Sequence, residues 1–151
     1  MTNHNYSHIC KECGGYCCTT GGPLATKLEV DCIIKAGYPN MFIEITENCY
    51  LTDFGADLVC PYLKDSACEI YPVRPLLCRK YPIFSTDGEE HYLVHCPLTQ
   101  HLSKDDLAKC IEAALEVPGN LFTCAQRFMA PFSSRINERM HKFKMERIEL
   151  E

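Results

Sequence analysis

Apolar positions along the chain change rhythm near residue 100. Before it, apolar runs are short and broken by seven of the nine prolines. The spacing predicts small elements there. Thr26 can cap a short helix over Lys27–Ala36, with Gly37 as its stop and Pro39 just beyond. Met41–Ile45 and Asn48–Asp53 read as strands. Cys60–Leu63 and Cys68–Tyr71 read as arms of a small hairpin around Lys64–Ala67. Val73–Lys80 suits one or two helical turns, with Pro75 in the first turn and Pro82 ending it. Tyr81–Ser85 and His91–Cys96 flank the turn signal Thr86-Asp87-Gly88. Cys10–Pro23 reads as a glycine-rich loop.

Past Gln100 the period becomes helical. Ser103 caps a helix, with Asp106 at its third position as in a capping box. Leu107, Cys110, Ile111, Ala114 and Leu115 then share one face, and Pro118-Gly119 stops the run. A second helix is predicted over Leu121–Met129, ending before Pro131. A third is predicted from Ser133 to Leu150, with Ile136, Met140, Phe143 and Leu150 as its stripe. Glu138–Lys142 and Lys142–Glu146 would be its charge pairs four apart. The pattern gives a small, loop-rich α+β fold with a helical C-terminal extension. The boundary falls near Gln100, dividing residues 1–100 from 101–151.

Composition narrows the chemistry. The chain has 151 residues, 46% hydrophobic and 23% charged, as in an ordinary globular domain. A net charge of −5 argues against nucleic acid as a partner. No apolar run is long enough to span a membrane. The N-terminus lacks the basic and apolar regions of a secretory signal, so a cytoplasmic location is expected. There are 12 cysteines, which in a reducing compartment point to metal rather than disulfides.

The strongest signal is Cys10-Lys-Glu-Cys13-Gly-Gly-Tyr-Cys17-Cys18. A Cys-x-x-Cys pair can reach one ion across a tight turn. Adjacent Cys17 and Cys18 diverge, so they would face two sites or a shared cluster. Cys60, Cys68, Cys78 and Cys96 each come from a separate downstream element. Eight thiolates equal two four-cysteine zinc sites, two four-ligand iron–sulfur clusters, or one cluster with spare thiols. Arg74 and Arg79 flank Cys78. Their N–H groups could offset thiolate charge, or else pair with acidic residues. Cys32, Cys110 and Cys124 read as small core residues. Cys49 could be a ninth ligand, with the odds against it. His8, His91 and His95 are read as satisfied or exposed histidines rather than ligands.

At these residues the chain resembles a known family of zinc- or iron-chelating cysteine-cluster proteins, the YkgJ type. The resemblance rests on Cys10–Cys18, on Cys60-Pro-Tyr-Leu, on Cys68-Glu-Ile-Tyr-Pro-Val-Arg-Pro-Leu-Leu-Cys78-Arg-Lys-Tyr-Pro82, and on Cys96-Pro97. It covers residues 8–97. It implies that Cys10, Cys13, Cys17, Cys18, Cys60, Cys68, Cys78 and Cys96 are the family's eight cysteines. Two features depart from its usual pattern: three residues, not two, separate Cys13 from Cys17, and Leu98 replaces a glycine.

Cys-Pro at 60–61 and 96–97 is similar to ferredoxin ligation, which favours an iron–sulfur cluster over zinc. The expected function is a metal-binding protein, in electron transfer or as an accessory module. One alternative is a zinc-stabilised interaction scaffold, with the C-terminal helices docking a protein partner. Another is a methyltransferase-associated domain, since flagellin lysine methylases contain a domain that resembles this one.

Overall fold

The computed structural model describes residues 6–13, 23–54, 57–85, 87–140 and 142–150. Among these residues, seven α-helices and eight short strands follow in chain order. They are α1 (Ser7–Cys13), β1 (Leu24–Ala25), α2 (Lys27–Lys35), β2 (Phe42–Thr46), β3 (Cys49–Thr52), β4 (Leu63–Lys64) and β5 (Ala67–Cys68), then α3 (Leu76–Arg79), β6 (Ile83–Phe84), β7 (His91–Val94), α4 (Pro97–His101), α5 (Lys104–Glu116), α6 (Gly119–Met129), α7 (Ser133–Met140) and β8 (Met145–Ile148). A 3-10 turn at Tyr71–Val73 precedes α3, and another at Ala130–Phe132 precedes α7.

The strands form three antiparallel sheets, ordered β1-β3-β2, β4-β5 and β6-β7-β8. The β4–β5 hairpin turns on Asp65 and Ser66, both at positive φ, the backbone that a two-residue hairpin loop needs. Gly88 has φ +80°, and a Cβ there would meet the Phe122 ring at 2.8 Å. Glycine is therefore required where this turn lies against α6.

The cap signals form as the sequence predicts. Thr26 accepts from the Glu29 N–H, and the Glu29 carboxylate accepts from the Thr26 N–H, closing a capping box on α2. Ser103 accepts from the Asp106 N–H at the start of α5. Pro118 caps α6 rather than merely stopping α5.

Four expectations are corrected. Cys10 lies in a helix, not a loop, because Ser7–Cys13 closes two turns before Gly14 and Gly15. Cys32 is exposed, since α2 turns Val30 and Ile33 inward instead. Leu115 is 60% exposed, because α5 buries Asp106, Cys110, Ala113 and Ala114. The third C-terminal helix stops at Met140, and Met145–Ile148 is a strand. The free edge of β7 takes up its backbone groups, and Ile148 and Leu150 pack beside Ile83 and Cys110. Glu146 accordingly meets His95 (2.9 Å), not Lys142.

Four small cores result. Ala25, Val30, Ile33, Phe42, Cys60, Tyr62 and Ile70 make the first. Leu24, Cys49, Val117, Leu121, Phe122 and Cys124 make the second. Val94, Cys96 and Leu98 anchor the third, and Ile83, Cys110 and Ala114 the fourth. Cys49 and Cys124 form a disulfide across 75 residues, tying β3 to α6. Cys124 is thus in the core as expected, but bonded, and Cys49 is its partner rather than a ninth ligand.

Candidate metal centre

Among the described residues, the candidate cysteines ride on or beside short elements held from outside. Cys10 is half-buried on α1, the helix that ends at Cys13. Tyr6 begins that segment, with its N–H donating to the Tyr71 hydroxyl (3.0 Å) and its own hydroxyl to Asp106 (2.6 Å). The Asp106 bond and partial burial raise the Tyr6 pKa, and burial raises that of Tyr71.

Cys60 is buried in the first core beside Tyr62. The Tyr62 hydroxyl donates to the Pro39 carbonyl (2.7 Å) and accepts from the Met41 N–H (2.9 Å). Those bonds pin the entry to the hairpin whose second arm ends in half-buried Cys68. Cys78 sits in α3, a helix of four residues with no side-chain cap from Pro75. Glu29 supplies the missing acceptor, taking the Leu76 N–H at 2.6 Å. One carboxylate therefore anchors the starts of both α2 and α3. Cys96 is buried at the N-cap of α4, with Pro97 in the first turn and Thr99 Oγ1 3.8 Å from its sulfur.

The described elements converge. Helix α1 packs against both β5, which carries Cys68, and α4, which Cys96 precedes. Cys10 joins Cys96 in the third core. Cys17 and Cys18 lie outside the described residues. Among the described residues alone, no three cysteine, histidine or carboxylate groups form a cluster sized for an ion.

A buried cation that no local sequence pattern signals stands in the Cys78-Arg79-Lys80 run. Lys80 is 4% exposed, and its Nζ donates to the Ile83 carbonyl (2.7 Å). Burial pulls its pKa down to about 8, against the opposing pull of Cys78. Arg74 lays its guanidinium 3.7 Å over the Tyr71 ring and donates from Nε to the Tyr71 carbonyl. Arg79 is exposed. His91 Nε2 meets the Gly88 carbonyl, His95 pairs with Glu146, and His8 is exposed.

The donor set is sulfur, the ligand type shared by zinc and iron–sulfur sites. Buried Lys80 adds positive charge beside one donor. The residues present fit a thiolate-held metal.

No helix among the described residues is long and apolar enough to cross a membrane. A family model, CxxCxxCC, described as a "putative zinc- or iron-chelating domain", matches residues 9–105. The chain belongs to that family. No curated protein and no solved structure matches the chain.

Proposed function

We propose, with CxxCxxCC membership as the premise, that this chain holds an iron–sulfur cluster, in preference to zinc, for electron transfer or as an accessory module. Cys10, Cys13, Cys17, Cys18, Cys60, Cys68, Cys78 and Cys96 are the proposed ligands. The observation that carries the reading is the packing of α1 against both β5 and α4, which draws elements bearing Cys10, Cys68 and Cys96 together. When bound, such a cluster supplies one-electron chemistry. The chain's own groups hold charge and exclude water. Lys80, fixed on the Ile83 carbonyl, offsets thiolate charge beside Cys78. Arg74 and Arg79 add positive charge on either side of that residue. Burial of Cys60 and Cys96 keeps their sulfurs dry.

Anaerobic purification of the full chain tests this, with iron, zinc and acid-labile sulfide assayed beside a visible spectrum. Iron with sulfide and thiolate-to-iron absorption is expected. Cys78→Ser should lower metal content several-fold and loosen the fold together, because binding and folding are coupled. Cys110→Ala should retain the metal. Stoichiometric zinc without colour would overturn the cluster in favour of the zinc scaffold. Metal-free protein with these cysteines joined in disulfides would overturn the whole reading.

A further inference from the structure

A cleft of about 290 Å³ opens between α5 and the segment from Tyr71 to Tyr81, with Tyr6, Leu98 and Leu102 completing its wall. None of the proposed ligands among the described residues lines it, although Arg74 and Arg79, which flank Cys78, do. Its volume is close to the lower bound for small-molecule sites, which begin at about 300 Å³.

Charge is divided along this cleft. Lysine usually lays its stem on the protein and sends its ammonium to water. Lys109 does the reverse: its side chain is 30% exposed, yet its Nζ is buried and hydrogen-bonds to nothing among the described residues. Asp106 Oδ1 stands 3.9 Å away, and the other oxygen of that carboxylate already accepts from Tyr6. At 3.9 Å this ion pair is too long to be a hydrogen bond, so the buried ammonium's donors can turn toward an acceptor that enters. Arg74 lines the same cleft. Tyr71 engages its Nε and the face of its guanidinium, and the terminal nitrogens make no hydrogen bond among the described residues.

Glu112 and Glu116 line the cleft from the same helix, three and seven residues beyond Lys109. At about 1.5 Å of rise per residue, they lie roughly 5 and 10 Å further along the axis. Neither carboxylate is within ion-pair distance of a cation among the described residues, exposed Arg79 included. The cleft thus carries the cations Lys109 and Arg74, with Asp106 beside Lys109, and the carboxylates of Glu112 and Glu116 further along α5, with tyrosine and leucine walls.

We infer that this cleft binds a small zwitterion, its carboxylate held by Arg74 and Lys109 and its ammonium by Glu112 and Glu116. The methylene groups between the charges lie against Tyr71 and Leu98. This inference needs no bound metal: of the groups it uses, only Arg74 is shared with the proposed metal centre, and Lys109→Met leaves Arg74 in place.

Calorimetric titration of the full chain as purified tests it. The probes are glycine, 4-aminobutyrate and 6-aminohexanoate, with hexanoate, hexylamine and inorganic phosphate as controls. At least one of the two longer zwitterions should bind ten-fold or more tightly than hexanoate or hexylamine. Lys109→Met should abolish that advantage with metal content unchanged, and Glu116→Gln should shrink it. Binding of hexanoate or phosphate as tight as that of the zwitterions would overturn the assignment. So would the absence of binding by any zwitterion at millimolar concentration, or affinity that survives Lys109→Met.

Discussion

Between Cys60 and Cys96 no described strand or helix exceeds four residues, whereas α5 and α6 run to thirteen and eleven. The long helices carry their own determinants: a serine cap, an apolar face, a proline at the joint. The short elements have none that would suffice, since an isolated turn of helix or two-residue ladder is not stable in water. They are held from a distance, α3 by Glu29 and the hairpin by the first core. Such a region gains most from a cross-link, and it is also the region rich in sulfur.

The largest effect expected on this contrast comes from the Cys49–Cys124 bond, which joins β3 to a long helix across 75 residues. A loop of that length corresponds to about 4 kcal/mol of chain-entropy stabilisation. Cys124→Ala should lower stability by roughly that amount in denaturant melts without reductant, and by much less with it. Equal losses under both conditions would mean that the two sulfurs contribute by packing alone.

A smaller effect separates the regions by pH. Burial pushes the Cys110 thiol up to about 11, well above the ordinary thiol range, with nearby Arg74 opposing the shift. The native chain therefore keeps this proton while the unfolded chain loses it between about pH 8.5 and 11. The associated stability is full below that window and is lost through it, on the order of 2 kcal/mol. Melts of Cys110→Ala should lack this alkaline decline. A variant that declines as steeply as the parent would place the titration elsewhere.

The smallest effect is at the self-sufficient end. Ser103→Ala removes the acceptor for the Asp106 N–H and should cost about 1 kcal/mol. Amide exchange should quicken at the start of α5 and leave the Cys60–Cys96 segment unchanged. Faster exchange throughout would show that the helix and the short elements unfold as one.

What was readable in the sequence follows the same division. The Thr26 and Ser103 caps are local, and both helices start where those residues place them. The turn signal at Asp87-Gly88 and the hairpin around Asp65 and Ser66 are local too. The terminal strand is hidden in the sequence because Ile136, Met140 and Phe143 continue a helical stripe. Met145-Glu146-Arg147-Ile148 has no alternation of its own, and only the open edge of β7 decides the matter. The disulfide pairs residues 75 apart, and no local pattern reports such a distance. The cysteine cluster is legible as a motif. Its supports, Glu29 and Lys80, are not, since each acts across the fold or through burial. The cleft draws Tyr6, Tyr71 and Lys109 from three separated segments, so its charge division emerges only after folding.

The pairing of β7 with β8 also bears on the order in which the molecule can be assembled during synthesis. The β6–β7 strands leave the ribosome about fifty residues before Met145–Ile148. Through that interval their outer edge has no partner of its own, while α1, β5 and α4 have already emerged. The proposed sulfur ligands, all in the earlier chain, could thus meet a metal before the sheet beside them is closed.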